Sequence, residues 1–118
     1  MMWIRVGAVL MAAGILLGAF GAHGFEPSLD EARMEIFRTA VFYHLVNALG
    51  LLIVGTLSLQ SPSRHRLFPS GCFLTAGILL FSGSLYLNAI NGIGGVALVA
   101  PVGGICLAAG WIFLIFTL

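Results

Sequence analysis

The sequence predicts an all-α integral membrane protein: a four-helix bundle with an outer amphipathic helical extension before span two. Three observations carry this. Apolar residues make up 60% of the chain and charged residues 8%, whereas soluble domains carry about 25% charged residues. The apolar residues fall into four uncharged runs, each long enough to cross a bilayer, parted by short polar or glycine-rich breaks. The second run is continuous with a charged, capped helix, because neither Gly nor Pro occurs between Leu29 and Leu49. Mean hydropathy is +1.12. Residues 1–118 therefore read as a single four-span transmembrane domain whose first partner is the lipid bilayer. A net charge of +1 with no lysine gives no electrostatic footprint for nucleic acid.

Span one is expected at Val6–Ala22. A secretory signal peptide is the competing reading, but the run exceeds the roughly 7–15 residues of a signal core. Gly14, Gly18 and Ala22 recur every fourth residue, a small-residue ridge against which another helix can pack closely in lipid. His23-Gly24-Phe25-Glu26-Pro27 ends the span. Ser28 and Glu31 then have capping-box spacing. Leu29, Ala32, Ile36, Phe37 and Ala40 form an apolar stripe, and Asp30, Arg33, Glu35 and Arg38 can pair along the helix. A helix from Leu29 to Leu59 would be about 46 Å long. The hydrocarbon core measures about 30 Å, so its first turns protrude or lie along the interface.

Span two proper is Thr39–Leu59. Ser61-Pro62-Ser63-Arg64-His65-Arg66 forms a basic turn, span three runs over Leu67–Ala89, and Asn91-Gly92-Ile93-Gly94-Gly95 makes a glycine-rich turn before span four at Val96–Leu118. Pro101 either kinks span four or sits at its first helical position after a short irregular lead-in. Arg5, Arg64 and Arg66 fall on one side and Arg33 and Arg38 on the other, which puts both termini in the cytoplasm. The segments Ala13–Leu17 and Ala76–Leu80 share the sequence Ala-Gly-Ile-Leu-Leu, a hint that two helix pairs are related by duplication. Cys72 and Cys106 differ in depth by about 10 Å and read as small buried hydrophobes rather than a disulfide.

Distance from the loops sets height in the bilayer. On that count His44, Ser84 and Pro101 share a level in the outer half, with Asn47, Ser82 and Tyr86 within a turn of it and His23 at the boundary above. Tyr43 is the neighbour of His44 on the same segment. These eight residues are the candidate polar layer or ligand site, because an unsatisfied polar group in hydrocarbon costs several kcal/mol and must find a partner. His44, with Asn47 almost beside it, is expected to hold one partner helix through Ser82, Ser84 or Tyr86. The alternative to a functional site is interhelical glue at about 1 kcal/mol per bond. No phosphate-binding glycine loop, Cys-x-x-Cys, His-Glu-x-x-His or serine elbow occurs. No catalytic residue, metal site or cofactor is expected.

Four motifs in order carry a family resemblance: Gly18-Ala19-Phe20-Gly21-Ala22-His23-Gly24; Phe37-Arg38-Thr39-Ala40-Val41-Phe42-Tyr43-His44; Phe81-Ser82-Gly83-Ser84-Leu85-Tyr86; and Pro101-Val102-Gly103-Gly104 with Gly110-Trp111. The chain resembles the YgdD-like small bacterial inner-membrane proteins, domain of unknown function 423, which have a eukaryotic transmembrane relative. The resemblance implies a four-span protein of the bacterial cytoplasmic (inner) membrane with no established activity. Where that family usually has a second histidine, three residues after the one matching His44, this chain has Asn47; its frequent threonine before the proline is Ala100 here. The first departure argues against a two-histidine metal or haem site in span two.

The functional expectation is a multi-pass membrane protein that is a non-catalytic membrane component and not an enzyme, acting as a homo-oligomer or as a subunit of a membrane complex. The alternative is binding or transport of a small solute or proton through the layer around His44.

Overall fold

A computed structural model describes residues 1–25, 28–92 and 94–117; the side chains of Phe25 and Ala97 are not described. Four helical segments are long and apolar enough to cross a membrane: Met2–Gly24, Glu31–Gln60, Arg64–Asn91 and Gly94–Thr117. Span one is α1 (Met2–Phe20), ending in a π-helical turn at Gly21–Phe25. Span two is the single helix α2 (Glu31–Gln60). Span three starts with a 3-10 turn at Arg64–Leu67 and continues as α3 (Phe68–Gly77), a π-helical turn (Ile78–Ser82) and α4 (Gly83–Asn91). Span four starts as a 3-10 segment, Gly94–Val99, and becomes α5 (Ala100–Thr117).

The four spans match the expected ones with ends shifted by a few residues. Pro101 is the second residue of α5 and follows a 3-10 lead-in, so it starts the helix instead of kinking it. An N-terminal proline gives up an amide that has no intrahelical acceptor anyway. The expected capping box is replaced by a different cap. Asp30 is the N-cap of α2, and its carboxylate accepts from the Arg33 amide at 2.8 Å. Glu31 is the first helical residue and its carboxylate faces Arg38. The expected Glu26 and Pro27 break, Ile93 and Leu118 lie outside the described residues.

Helix α2 is the axis of the fold. Met34, Phe37, Ala40, His44, Asn47, Ala48, Leu51, Val54 and Ser58 are buried along it, mostly three or four residues apart, as one helical face requires. Met34, not the exposed Ala32, continues the apolar stripe outward. Span one packs against α2 through glycines. A Cβ on Gly14 would lie 2.7 Å from a Leu45 methyl, and one on Gly55 would lie 2.7 Å from the Ile4 amide nitrogen. Gly21 lies against the Phe37 ring while Ala22 is exposed, so the close-packing ridge continues through Gly21 and not Ala22. Spans three and four pair in the same way, with Gly77 against Leu107, Gly110 against Leu74, and Gly103 against the Phe81 backbone. The two copies of Ala-Gly-Ile-Leu-Leu thus place equivalent glycines, Gly14 and Gly77, in the contacts of the two helix pairs.

Two apolar clusters result. The inner one gathers Trp3, Leu51, Val54, Leu67, Leu74, Ile78, Leu107 and Leu114; the outer one gathers Met34, Phe37 and Ala89. Cys72 is exposed on the outer surface of α3 and Cys106 is half-buried, both as free thiols. The expectation that both are buried fails at Cys72, because its turn of α3 presents Gly71 and Leu74 to the core instead.

The outer end of span three is closed by Arg33. Its guanidinium donates to the Ala89 and Ile90 carbonyls, both at 2.7 Å. These carbonyls belong to the last turn of α4, where acceptors lack intrahelical donors and the helix dipole favours a cation. Gly92 then ends the helix with φ +67, a left-handed conformation that glycine adopts without strain, and its amide bonds the Asn88 carbonyl. Arg33 was expected to pair along its own helix; instead it ties span two to span three. Replacing Arg33 with leucine should lower stability by about 2 kcal/mol, since charge-assisted bonds contribute about 1.5–3 kcal/mol. Lysine should restore only part, having no planar fork to reach both carbonyls. Unfolding in SDS titrations of the purified protein checks this; an unchanged midpoint in Arg33→Leu would contradict it.

Candidate functional site: the polar layer between the two clusters

The polar layer lies between the inner and outer apolar clusters and is built outward from α2. His44 is buried, 4% exposed, and its Nδ1 lies 2.9 Å from the Tyr86 hydroxyl. The two rings meet edge to face at 5.9 Å, and Tyr86 packs in turn on Phe37 at 5.4 Å. On its other side the imidazole lies against span one, where a Cβ on Gly14 would come within 3.3 Å of His44 Cδ2. His44 is therefore held between spans one and three.

The register of spans two and three explains why tyrosine makes this contact. Arg33 meets Ala89 and Ile90, and Ala40 accepts from the Ser82 hydroxyl at 2.8 Å. One turn further along α2, His44 is level with the π-helical turn 78–82, not with Ser84 as loop counting predicted. Side chains on a helix lean toward its N-terminus, which in span three is the inner side. Tyr86 is long enough to reach down to that level. Ser84 instead donates to the Phe81 carbonyl within its own helix.

Asn47 does not share a partner helix with His44. Its amide NH2 donates to the Tyr43 carbonyl at 2.8 Å, and its carbonyl oxygen accepts from the Trp111 indole of span four at 2.9 Å. A three-residue step on a helix turns by about 300°, enough to aim the two side chains at different neighbours. Trp111 fits because Gly50 has no side chain; a Cβ there would lie 2.7 Å from the indole. Ser70, buried in the inner half, donates to the Gly110 carbonyl at 2.7 Å. The inner half therefore carries an interhelical polar contact of its own.

Three expected members stand outside the layer. Tyr43 is exposed, its ring lying along Phe42 and Phe81 on the outer surface. His23 and Pro101 are exposed as well. The layer brings together His44, Asn47, Ser82 and Tyr86, with Ser84 beside them but bonded locally. Sequence reasoning missed Trp111 and Ser70; an indole in an apolar span carries an N–H that needs an acceptor, and that was the available signal. Among the described residues, no three His, Cys, Asp or Glu side chains cluster as a metal would require.

One polar atom in the layer has no partner: His44 Nε2 is buried without a hydrogen bond among the described residues. The Leu10 backbone of span one is in reach of the ring but outside hydrogen-bond geometry. If Tyr86 donates to Nδ1, the Nε2 proton is the single unpaired group. If Nδ1–H donates instead, both Nε2 and the tyrosine proton need partners. The first arrangement leaves fewer unmet groups.

The family described as "Protein of unknown function (DUF423)" matches residues 17–104. The chain belongs to this family. Among its relatives, the UPF0382 membrane protein YwdK of Bacillus subtilis is 34% identical over 96% of this chain and 92% of its own length. The UPF0382 membrane protein SH2409 of Staphylococcus haemolyticus is 35% identical over 98% and 93%. The UPF0382 inner membrane protein YgdD of Escherichia coli is 35% identical over 82% and 73%. No solved structure matches. The chain is a multi-pass membrane protein of a family without an assigned activity, and the match at 17–104 covers every residue of the layer except Trp111.

The tautomer is testable. In 15N spectra of histidine-labelled protein, His44 should show Nε2 protonated and Nδ1 as acceptor, and Tyr86→Phe should erase that preference. A wild-type ring protonated at Nδ1 would contradict the donor assignment.

Proposed function

We propose that the protein is a non-catalytic component of the cytoplasmic membrane, with both termini on the cytoplasmic side, serving as a compact four-span unit in a larger assembly or as a homo-oligomer. The observation that supports this is the use of the polar side chains within the spans. Tyr86, Ser82, Trp111 and Ser70 each bond to a different span from their own. Such bonds fasten helices where the hydrophobic effect gives no drive for association. The described grooves open sideways between helices, and His44 lines none of them. The inner-membrane location is the one named for the Escherichia coli relative, and three arginines on the side of the termini favour that side as cytoplasmic.

A second reading is favoured by one observation, the unpaired Nε2 of His44. A buried ring nitrogen is a place for a proton or a small polar solute. Native mass spectrometry after mild extraction separates the two. The first reading expects partner subunits or further copies of the chain, unchanged by His44→Leu. One equivalent of a small non-lipid molecule, lost in His44→Leu, would overturn it in favour of the second.

A further inference from the structure

Apart from the polar layer, a groove of about 480 Å3 lies between spans one and two at their outer ends. Its wall is formed by Gly18, Gly21, Phe37, Val41 and Leu45, and Arg38 stands at its mouth. The depth of the mouth follows from α2. A hydrocarbon core of about 30 Å spans about 20 helical residues. With Gln60, beside Arg64 and Arg66, at the inner boundary, the outer boundary falls at Arg38–Ala40. The groove then descends from the headgroup level by the seven residues between Arg38 and Leu45, about 10 Å.

The mouth carries both signs of charge. Arg38 lies 3.6 Å from Glu31 and 3.7 Å from Glu35, one helical face with the acids above the arginine. Both pairs are longer than a hydrogen bond, and the side chains are 51%, 90% and 70% exposed for Arg38, Glu31 and Glu35. The guanidinium therefore keeps donors for an outside acceptor. A phosphate fits that demand as a bidentate acceptor, and the two carboxylates above it fit a primary ammonium. Two acids against one base disfavour a headgroup with net negative charge.

We infer that this groove is a binding site for a zwitterionic aminophospholipid, with the phosphate on Arg38, the ammonium at Glu31 and Glu35, and the upper part of one acyl chain along Gly18, Gly21 and Val41. Such a lipid has a phosphate and an ammonium at the boundary with a hydrocarbon tail directly beneath, and its primary amine adds N–H donors for the two carboxylates. The site shares no residue with the His44 contacts, so it stands or falls independently of the proposed function.

The test uses the purified full-length protein in detergent, with dioleoyl phosphatidylethanolamine, phosphatidylcholine and phosphatidylglycerol added in separate titrations followed by native mass spectrometry. Phosphatidylethanolamine should bind tightest, since choline offers no N–H donor and glycerol no positive charge. Arg38→Gln should weaken its binding about tenfold, the loss of one charge-assisted contact. Ala22→Phe, which fills the groove from its exposed edge, should do the same, while Leu79→Phe on another outer face should change nothing. Equal binding of all three lipids would overturn the inference. So would phosphatidylethanolamine binding that neither Arg38→Gln nor Ala22→Phe weakens. Crosslinking of Ala22→Cys protein into dimers across this groove in lipid vesicles would assign it to a second copy of the chain and overturn it as well.

Discussion

The hydrogen bond between His44 and Tyr86 is the contact around which the outer half is arranged. A histidine in hydrocarbon has no water to turn to, so its placement dictates the register of the helix that answers it. Tyr86 reaches the imidazole only because α4 is set so that Ser82 meets Ala40 and the end of the helix meets Arg33. Those three contacts lie at successive heights along one seam of α2. Gly14 completes the arrangement from the opposite side, since any side chain there would press on Leu45 and the imidazole.

Helix association elsewhere follows from close backbone approach. Lipid tails are as apolar as leucine, so packing has to come from shape. Glycines at 14, 55, 71, 77, 103 and 110 each sit where a Cβ would meet a neighbouring helix. Trp111 combines both devices: its ring fills the space at Gly50, and its N–H bonds Asn47. The relatives in the DUF423 family align along nearly the whole chain, so the alignment takes in all four spans.

Much of this was legible in the sequence. Span number and limits follow from hydropathy and charge, and the importance of His44 and Asn47 follows from the cost of polar groups in lipid. Counting residues from the loops included Tyr86 among the possible partners of His44 but missed the pairing of Asn47 with Trp111. It placed His44 level with Ser84 because it ignored the π-helical turn at Ile78–Ser82, the tilt of side chains toward the helix start and the reach of tyrosine. It also gave Arg33 to its own helix, because local ion pairs are visible in sequence while the exposed carbonyls at the end of another helix are not. Pro101, His23 and Tyr43 drew attention by residue type and depth, but depth does not say which way a helix face points.

The packing of the outer half depends on His44 and Tyr86 acting as a pair. A double-mutant cycle on unfolding free energy, using His44→Leu, Tyr86→Phe and the combination, measures this directly. A favourable coupling of about 0.6–1.7 kcal/mol is expected, between the average and the largest value measured for hydrogen bonds between membrane helices. Strict additivity of the two substitutions would show that the rings are neighbours without being partners, and would contradict the pairing.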